Sequence, residues 1–146
     1  LMRKSIESNP QSDRISRPHY YYGLFLASAG RKEEALQAFE AVRRADPQFT
    51  RFSENDIKGL LDIYESFGEY GLITRIITES ARGSLQININ LQYYEIALVY
   101  YLDQEDGEGL ITIAEFIAAR FPERRNDMET IIDLAKNNEW EILKSL

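Results

Sequence analysis

The string GLIT occurs at positions 71–74 and again at 109–112, an interval of 38 residues, and the same interval separates Gly30 in SAGRKEEA from Gly68 in SFGEYGLI. An internal period in this range constrains the fold more than any composition does, because it implies a small supersecondary unit stacked on copies of itself. Apolar residues around each turn recur at helical spacing. YYYGLFLASA precedes the first turn and EEALQAFEAV follows it; LLDIYESF and LITRIITES flank the second; LQYYEIALVYYL and LITIAEFIAA flank the third. The pattern predicts three helix-turn-helix units and leaves no alternating segment to place as a strand.

Composition bounds what such a stack could do. With 146 residues, 44% of them apolar and 12% aromatic, the chain can offset its ordering entropy by burial. The net charge of −7 and the absence of any Lys/Arg run free of acidic neighbours argue against a nucleic-acid partner or contact with an anionic membrane surface. There is no cysteine, which removes disulfides, thiolate nucleophiles and thiolate metal sites. No apolar run is long enough to span a bilayer, and no signal-peptide pattern is present.

The best-formed unit runs from Ser16 to Pro47. It has a small residue, Gly23, and an apolar one, Leu26, in its first helix, and Gly30 in the turn. Ala35 and Phe39 lie in its second helix, and Pro47 stands beyond its end. In these residues it resembles a tetratricopeptide repeat. Gly23 and Ala35 carry so little side chain that two helices can approach closely, Phe39 fills the space beside them, and Pro47 forbids a further helical turn. Glu33 and Glu34 stand in the first turn of the second helix and Arg43 and Arg44 in its last, the order the helix dipole favours.

The other units depart from that pattern. In the second, Leu61 and Ile73 replace the small residues, while Leu60, Tyr64, Gly68, Tyr70 and Ile77 keep the apolar stripe; Ser53 with Asp56 predicts an N-terminal cap, and Gly83 the stop. In the third, Tyr93, Ile96, Ala97 and Tyr100 match the first-helix pattern, Phe121 and Pro122 close the second helix, and the turn from Asp103 to Gly109 reads as longer than the family's. Asn126 and Glu129 suggest a capping box opening a terminal helix, and Trp140, Leu143 and Leu146 either continue that helix or fold back. The expected organisation is one repeat domain over 1–146. Residues 1–10 are the end of a truncated repeat, 16–50, 53–86 and 90–123 are repeats, and 126–146 form the cap. The resemblance implies an all-α, right-handed superhelical array of antiparallel helix pairs.

Chemistry-bearing patterns are few. With Gly109 at the sixth position, residues 104–115 imitate a calcium loop: Asp106 falls third, Glu108 fifth, Ile111 eighth and Glu115 twelfth. Gln104 holds the first position, where an aspartate is expected, and no second loop exists to pair with it. The first GLIT occupies the same place with Ser66, Gly68 and Tyr70 at the ligand positions, so a shared turn, with glycine supplying φ > 0, explains the letters. His19 is the only histidine and falls at a packing position. No nucleophile, phosphate loop or cofactor motif points to an enzyme, and no cofactor or metal is implied.

What the resemblance implies instead is a non-catalytic scaffold that takes a peptide or helix of a partner protein in a concave groove lined by the first helices. On that register the lining is Arg17, Tyr20, Leu24 and Ala27, then Asn55, Lys58, Asp62 and Glu65, then Leu91, Tyr94, Leu98 and Tyr101. Members of the family that clamp a terminal carboxylate use Lys, Arg and Asn there, whereas this chain has Tyr20, Leu24, Gly59, Leu91 and Glu95. An alternative reading is a positioning appendage of a larger protein, such as a bacterial membrane enzyme of surface-polysaccharide assembly resembling an O-antigen ligase or polymerase. Calcium binding at 104–115 ranks third. Compartment and oligomeric state are not legible.

Overall fold

A computed structural model of the chain describes residues 9–83 and 88–146, with side chains from Ser16 onward. Among the described residues the protein is all-α. The helices are α1 (Asn9–Ser28), α2 (Lys32–Ala45), α3 (Glu54–Phe67), α4 (Tyr70–Ala81), α5 (Leu91–Gln104), α6 (Gly107–Arg120), α7 (Arg125–Lys136) and α8 (Trp140–Lys144), with a 3-10 turn at Pro122–Arg124 before α7. Helix α1 packs on α2, and α4, α5, α6 and α7 each on the next, in a manner consistent with a helical repeat. The chain divides into two compact units, residues 1–63 and 64–146, and the boundary falls inside α3. The expected remnant at 1–10 lies almost wholly outside the described residues, as do 84–86 of the second expected repeat.

One capping device accounts for the internal period. At the end of α1, Gly30 takes φ 77°, its N–H donates to Ala27 O at 3.1 Å, and Arg31 N–H donates to Leu26 O at 2.9 Å. This pair of bonds satisfies carbonyls that the last helical turn would otherwise leave open, and it reverses the chain in two or three residues. The same pair closes α3 through Gly68 (φ 75°), α5 through Glu105 (φ 52°) and α7 through Asn138 (φ 55°). Two of the sequence expectations change as a result. The third turn is not long, since only Glu105 and Asp106 separate α5 from α6. Nor do the GLIT glycines supply a positive φ, because Gly71 and Gly109 both lie within the first turn of a helix.

In the first unit α1 and α2 form an antiparallel hairpin. Helix α1 begins at Asn9 rather than at Ser16, so Pro18 lies inside it, and the N–H that would bond one turn back is missing there. A methyl group on Gly23 would come within 2.5 Å of the Phe39 ring, so the close approach expected of this glycine is realised. Phe39, Ala35 and Val42 are fully buried, as is Leu26. Helix α2 ends at Ala45, before Pro47, and its charges are ordered along the dipole as expected. Asp46, itself buried, then folds the connection: Oδ1 accepts from Thr50 N–H and Oγ1 at 2.9 Å each, and Oδ2 accepts from Arg51 N–H at 2.9 Å.

The start of α3 is the reciprocal cap read from the sequence. Asp56 N–H donates to Ser53 Oγ at 3.1 Å, and Ser53 N–H donates to Asp56 Oδ2 at 3.0 Å. Replacing Ser53 with alanine is therefore expected to lower stability by about 1 kcal/mol. Urea titration of wild type and S53A checks it; an unchanged midpoint would show that solvent serves the α3 terminus equally well.

In the second unit α4 packs on α5, α5 on α6 and α6 on α7. Gly83 (φ 86°) stops α4 as expected, and the core is built from Ile73, Ile77, Tyr93, Tyr94, Ala97, Ile113, Ala114 and Ile117. The expected capping box at Asn126 and Glu129 does not form. The 3-10 turn led by Pro122 runs straight into α7 at Arg125, which leaves Asn126 inside the helix and no side-chain cap at its start. Between the two options for the tail, the chain folds back. Asn138 turns it, and α8 places Leu143 and Trp140 against Leu98, Leu102, Leu110 and Ile131. Lys144 Nζ closes the contact on Glu105 Oε2 at 2.5 Å.

Candidate functional site

The sequence register placed three tyrosines on a groove, and the structure turns two of them inward. Tyr20 is 4% exposed; its hydroxyl donates to Asp56 O at 2.9 Å, and its ring meets Phe39 and Phe52 at centroid distances of 6.2 and 4.9 Å. Tyr94 is 1% exposed, stacked on Phe116 at 4.7 Å, with its hydroxyl 2.9 Å from Ser80 Oγ. Both rings already have their partners inside the fold, so neither is an open anchor. Tyr101 is half-buried, its hydroxyl 2.7 Å from Thr78 Oγ1 and its ring lying over Gly109. Leu98 packs against the cluster around Leu143.

The remaining groove residues are scattered in role. Arg17 Nη1 donates to Arg51 O at 2.6 Å and Nη2 to the Tyr21 hydroxyl at 2.6 Å, so this cation braces the first unit. Lys58 lies 3.6 Å from Glu54 on the same helix. Leu24, Ala27, Glu65 and Leu91 are half-buried, while Asn55 and Asp62 are exposed. At the places of a carboxylate clamp, Glu95 pairs with Arg124 at 2.6 Å and Gly59 sits under the Tyr20 hydroxyl. That set offers acceptors and apolar groups instead of the cations a carboxylate needs.

Burial and neighbouring charge both act on Tyr20. Removal from water, then the Asp56 carboxylate and Tyr21, push its pKa from the usual 10.0 up to about 12, against a smaller opposing pull from Arg17. Burial likewise raises Tyr94, with the Ser80 bond and Arg120 opposing. Both groups are neutral when protonated, and the folded state holds the proton more tightly than the unfolded chain. Their contribution is thus fully present below pH about 10 and lost as pH rises through the folded values. The melting temperature should hold up to about pH 10 and fall between about 10 and 12, with a shallower fall in Tyr20→Phe. Equal slopes for the two proteins would remove Tyr20 from the account.

The calcium reading of 104–115 fails on geometry. Gln104 ends α5, Asp106 caps α6 by accepting from Gly109 N–H at 3.0 Å, and everything from Gly107 to Glu115 is helical. Glu115 therefore stands about 13 Å along the helix from Asp106, too far to share one ion. Among the described residues no group of His, Asp and Glu is placed to hold a metal, and no helix is long and apolar enough to cross a membrane.

The surfaces that remain open lie one residue away from those expected. On α1, Tyr21, Tyr22 and Phe25 are 52%, 54% and 65% exposed, a helical stripe of aromatic rings facing water. In the second unit a cleft of about 410 Å³ runs along α5. Its α5 wall is Gln92, Glu95, Ile96, Val99, Tyr100 and Asp103, positions i, i+3, i+4, i+7, i+8 and i+11 on one helical face over three turns; Glu65 of α3 and Tyr70 of α4 form the facing wall. Val99 and Tyr70 are about half exposed despite being apolar or amphipathic. A methyl group on Gly71 would stand 3.2 Å from the Tyr100 hydroxyl, so this glycine of the first GLIT lets α4 sit close beside the tyrosine at the cleft.

Sequence reasoning missed Tyr21, Phe25, Val99 and Tyr70. The signal was present only in part, since YYY at 20–22 and the doublets at 93–94 and 100–101 say that aromatic rings occur on these helices without saying which ring faces inward. Charge is also unevenly divided. Residues 64–146 carry 15 Asp and Glu against 7 Lys and Arg, a net charge of −8, whereas residues 1–63 carry 9 against 10, a net charge of +1. Against family models, curated proteins and solved structures alike, this chain finds no match.

Proposed function

We propose that the chain is a non-catalytic protein-protein interaction module of the tetratricopeptide kind, binding a segment of a partner protein on the exposed faces of its first helices. The right-handed superhelical stacking implied by the resemblance belongs to the same proposal. The observation that carries it is the apolar cleft along α5, where Val99 and Tyr70 stay in water although other positions of the same helices, such as Tyr94 and Ile77, are fully buried. Exposed apolar patches of this kind mark interaction sites, and tyrosine offers large contact area at low conformational-entropy cost. The aromatic stripe on α1 is a second open face of the same character.

A photo-crosslinking amino acid in place of Val99, and in a separate protein in place of the exposed Glu129 on α7, tests the reading. Discrete, saturable adducts with cellular proteins are expected at position 99 and not at 129. Equal labelling at both positions, or none at 99, would count against a binding face on α5.

A further inference from the structure

Resting on that reading, we infer that the α5 cleft takes a basic amphipathic segment, one that sets lysine or arginine beside an apolar side chain. The apolar part of the lining is Ile96 and Val99, with Tyr70 and Tyr100 beside them, which suits aliphatic or aromatic carbons. Carboxylates stand on both walls: Glu65 opposite α5, and Asp103 at the α5 C-terminal end. Glu95, between the ends, is already neutralised by Arg124 at 2.6 Å. Lys144, whose charge Asp103 feels, is bonded to Glu105 at 2.5 Å. The two carboxylates left for a ligand, Glu65 and Asp103, each in the last turn of its helix, stand beside the apolar Ile96 and Val99.

The length sets the rest. From Gln92 to Asp103 the helix advances about 16 Å, enough for about three turns of a bound helix or about five extended residues. The surrounding unit, at −8, draws cations toward the cleft over a distance of about a Debye length. It repels anionic segments, including a second copy of the same surface. A metal ion does not answer to the site, because among the described residues no three acidic or histidine side chains are placed to share one ion. An amphipathic cation-bearing peptide satisfies both the carboxylates and the apolar lining.

Panning a displayed library of random peptides on the full chain, followed by fluorescence anisotropy on the enriched peptides, tests this. Enriched sequences are expected to carry net positive charge with Leu, Ile, Phe or Trp close to the cations. Their affinity should fall about tenfold, the scale of a hot-spot residue, in the double variant Glu65→Gln/Asp103→Asn and again in Val99→Ser. It should stay unchanged in Tyr21→Ser, and weaken as NaCl rises from about 0.05 to about 0.5 M. Circular dichroism melts of each variant keep folding defects apart from binding. Neutral or acidic peptides that compete at the cleft would overturn the inference while leaving the interaction module intact. Basic peptides indifferent to the cleft variants would overturn it too, and failure of any peptide to enrich would sink both this inference and the function it rests on.

Discussion

Truncating Tyr94 to alanine is expected to cost about 3–5 kcal/mol of folding stability, as large aromatic truncations in close-packed cores do. The ring is fully enclosed, stacked on Phe116 at 4.7 Å and tilted against Phe121 at 6.4 Å, so its removal leaves a void bounded by α5 and α6 that cannot collapse without moving helices. Part of the effect belongs to the hydroxyl. Tyr94→Phe keeps the packing but strips Ser80 Oγ of a buried partner at 2.9 Å, which should cost about 1–2 kcal/mol. Phe39→Ala in the first unit should match Tyr94→Ala in size, since Phe39 is equally buried and fills the space left by Gly23. Thermal and urea melts of the three variants decide the matter. A Tyr94→Ala protein that melts with wild type but binds a partner weakly would restore the groove role that the sequence register assigned to this ring.

Two neighbouring glycines should respond in opposite directions to the same change. On Gly109 an added methyl would lie 2.4–2.6 Å from three atoms of the Tyr101 ring, far inside van der Waals contact, and the ring cannot swing away while its hydroxyl is held by Thr78 at 2.7 Å. Alanine there gains about 1 kcal/mol of helix propensity, yet overpacking of a core contact costs about 1–3 kcal/mol. The clash wins, and valine, larger and β-branched, should do worse. On Gly107, two residues earlier in the same turn, the nearest atom is Trp140 Cζ2 at 3.7 Å, an ordinary contact, so alanine should be neutral or mildly stabilising. Tyr101→Leu combined with Gly109→Ala should recover part of the loss, because it removes the ring atoms that the methyl strikes. If Gly109→Ala and Gly107→Ala melt alike, α5 and α6 are not as close as the structure has them.

Much of the architecture could be read from the chain because its determinants are local. The helical spacing of apolar residues, Gly30 and Gly68 at the turns, Gly83 at a stop, Pro47 beyond α2 and the Ser53/Asp56 cap all act within a few residues of one another. Gly23 opposite Phe39 was legible as well, since a hairpin of two short-linked helices leaves only one way for a small residue to meet a ring. The order of the helices through α7 and the turns at Gly30 and Gly68 therefore followed from sequence.

Facing did not. A helix turns 100° per residue, so an error of one position in the repeat register rotates a side chain from the groove into the core. Strings of identical residues give no means of detecting it: in YYY at 20–22 the first ring is buried and the next two are exposed, and in the doublet at 100–101 Tyr100 lines the cleft while Tyr101 covers a glycine. The left-handed caps at Glu105 and Asn138, and the return of α8 onto α5, were equally hidden, because neither residue is a glycine and Trp140 meets its partners only across distant stretches of chain. Local chemistry determined the helices of this protein. Which side of each helix was left for a partner was decided only when the helices packed, because the register of that packing, and not the residue type, set which rings, such as Tyr20 and Tyr94, were enclosed and which, such as Tyr21 and Phe25, remained in water.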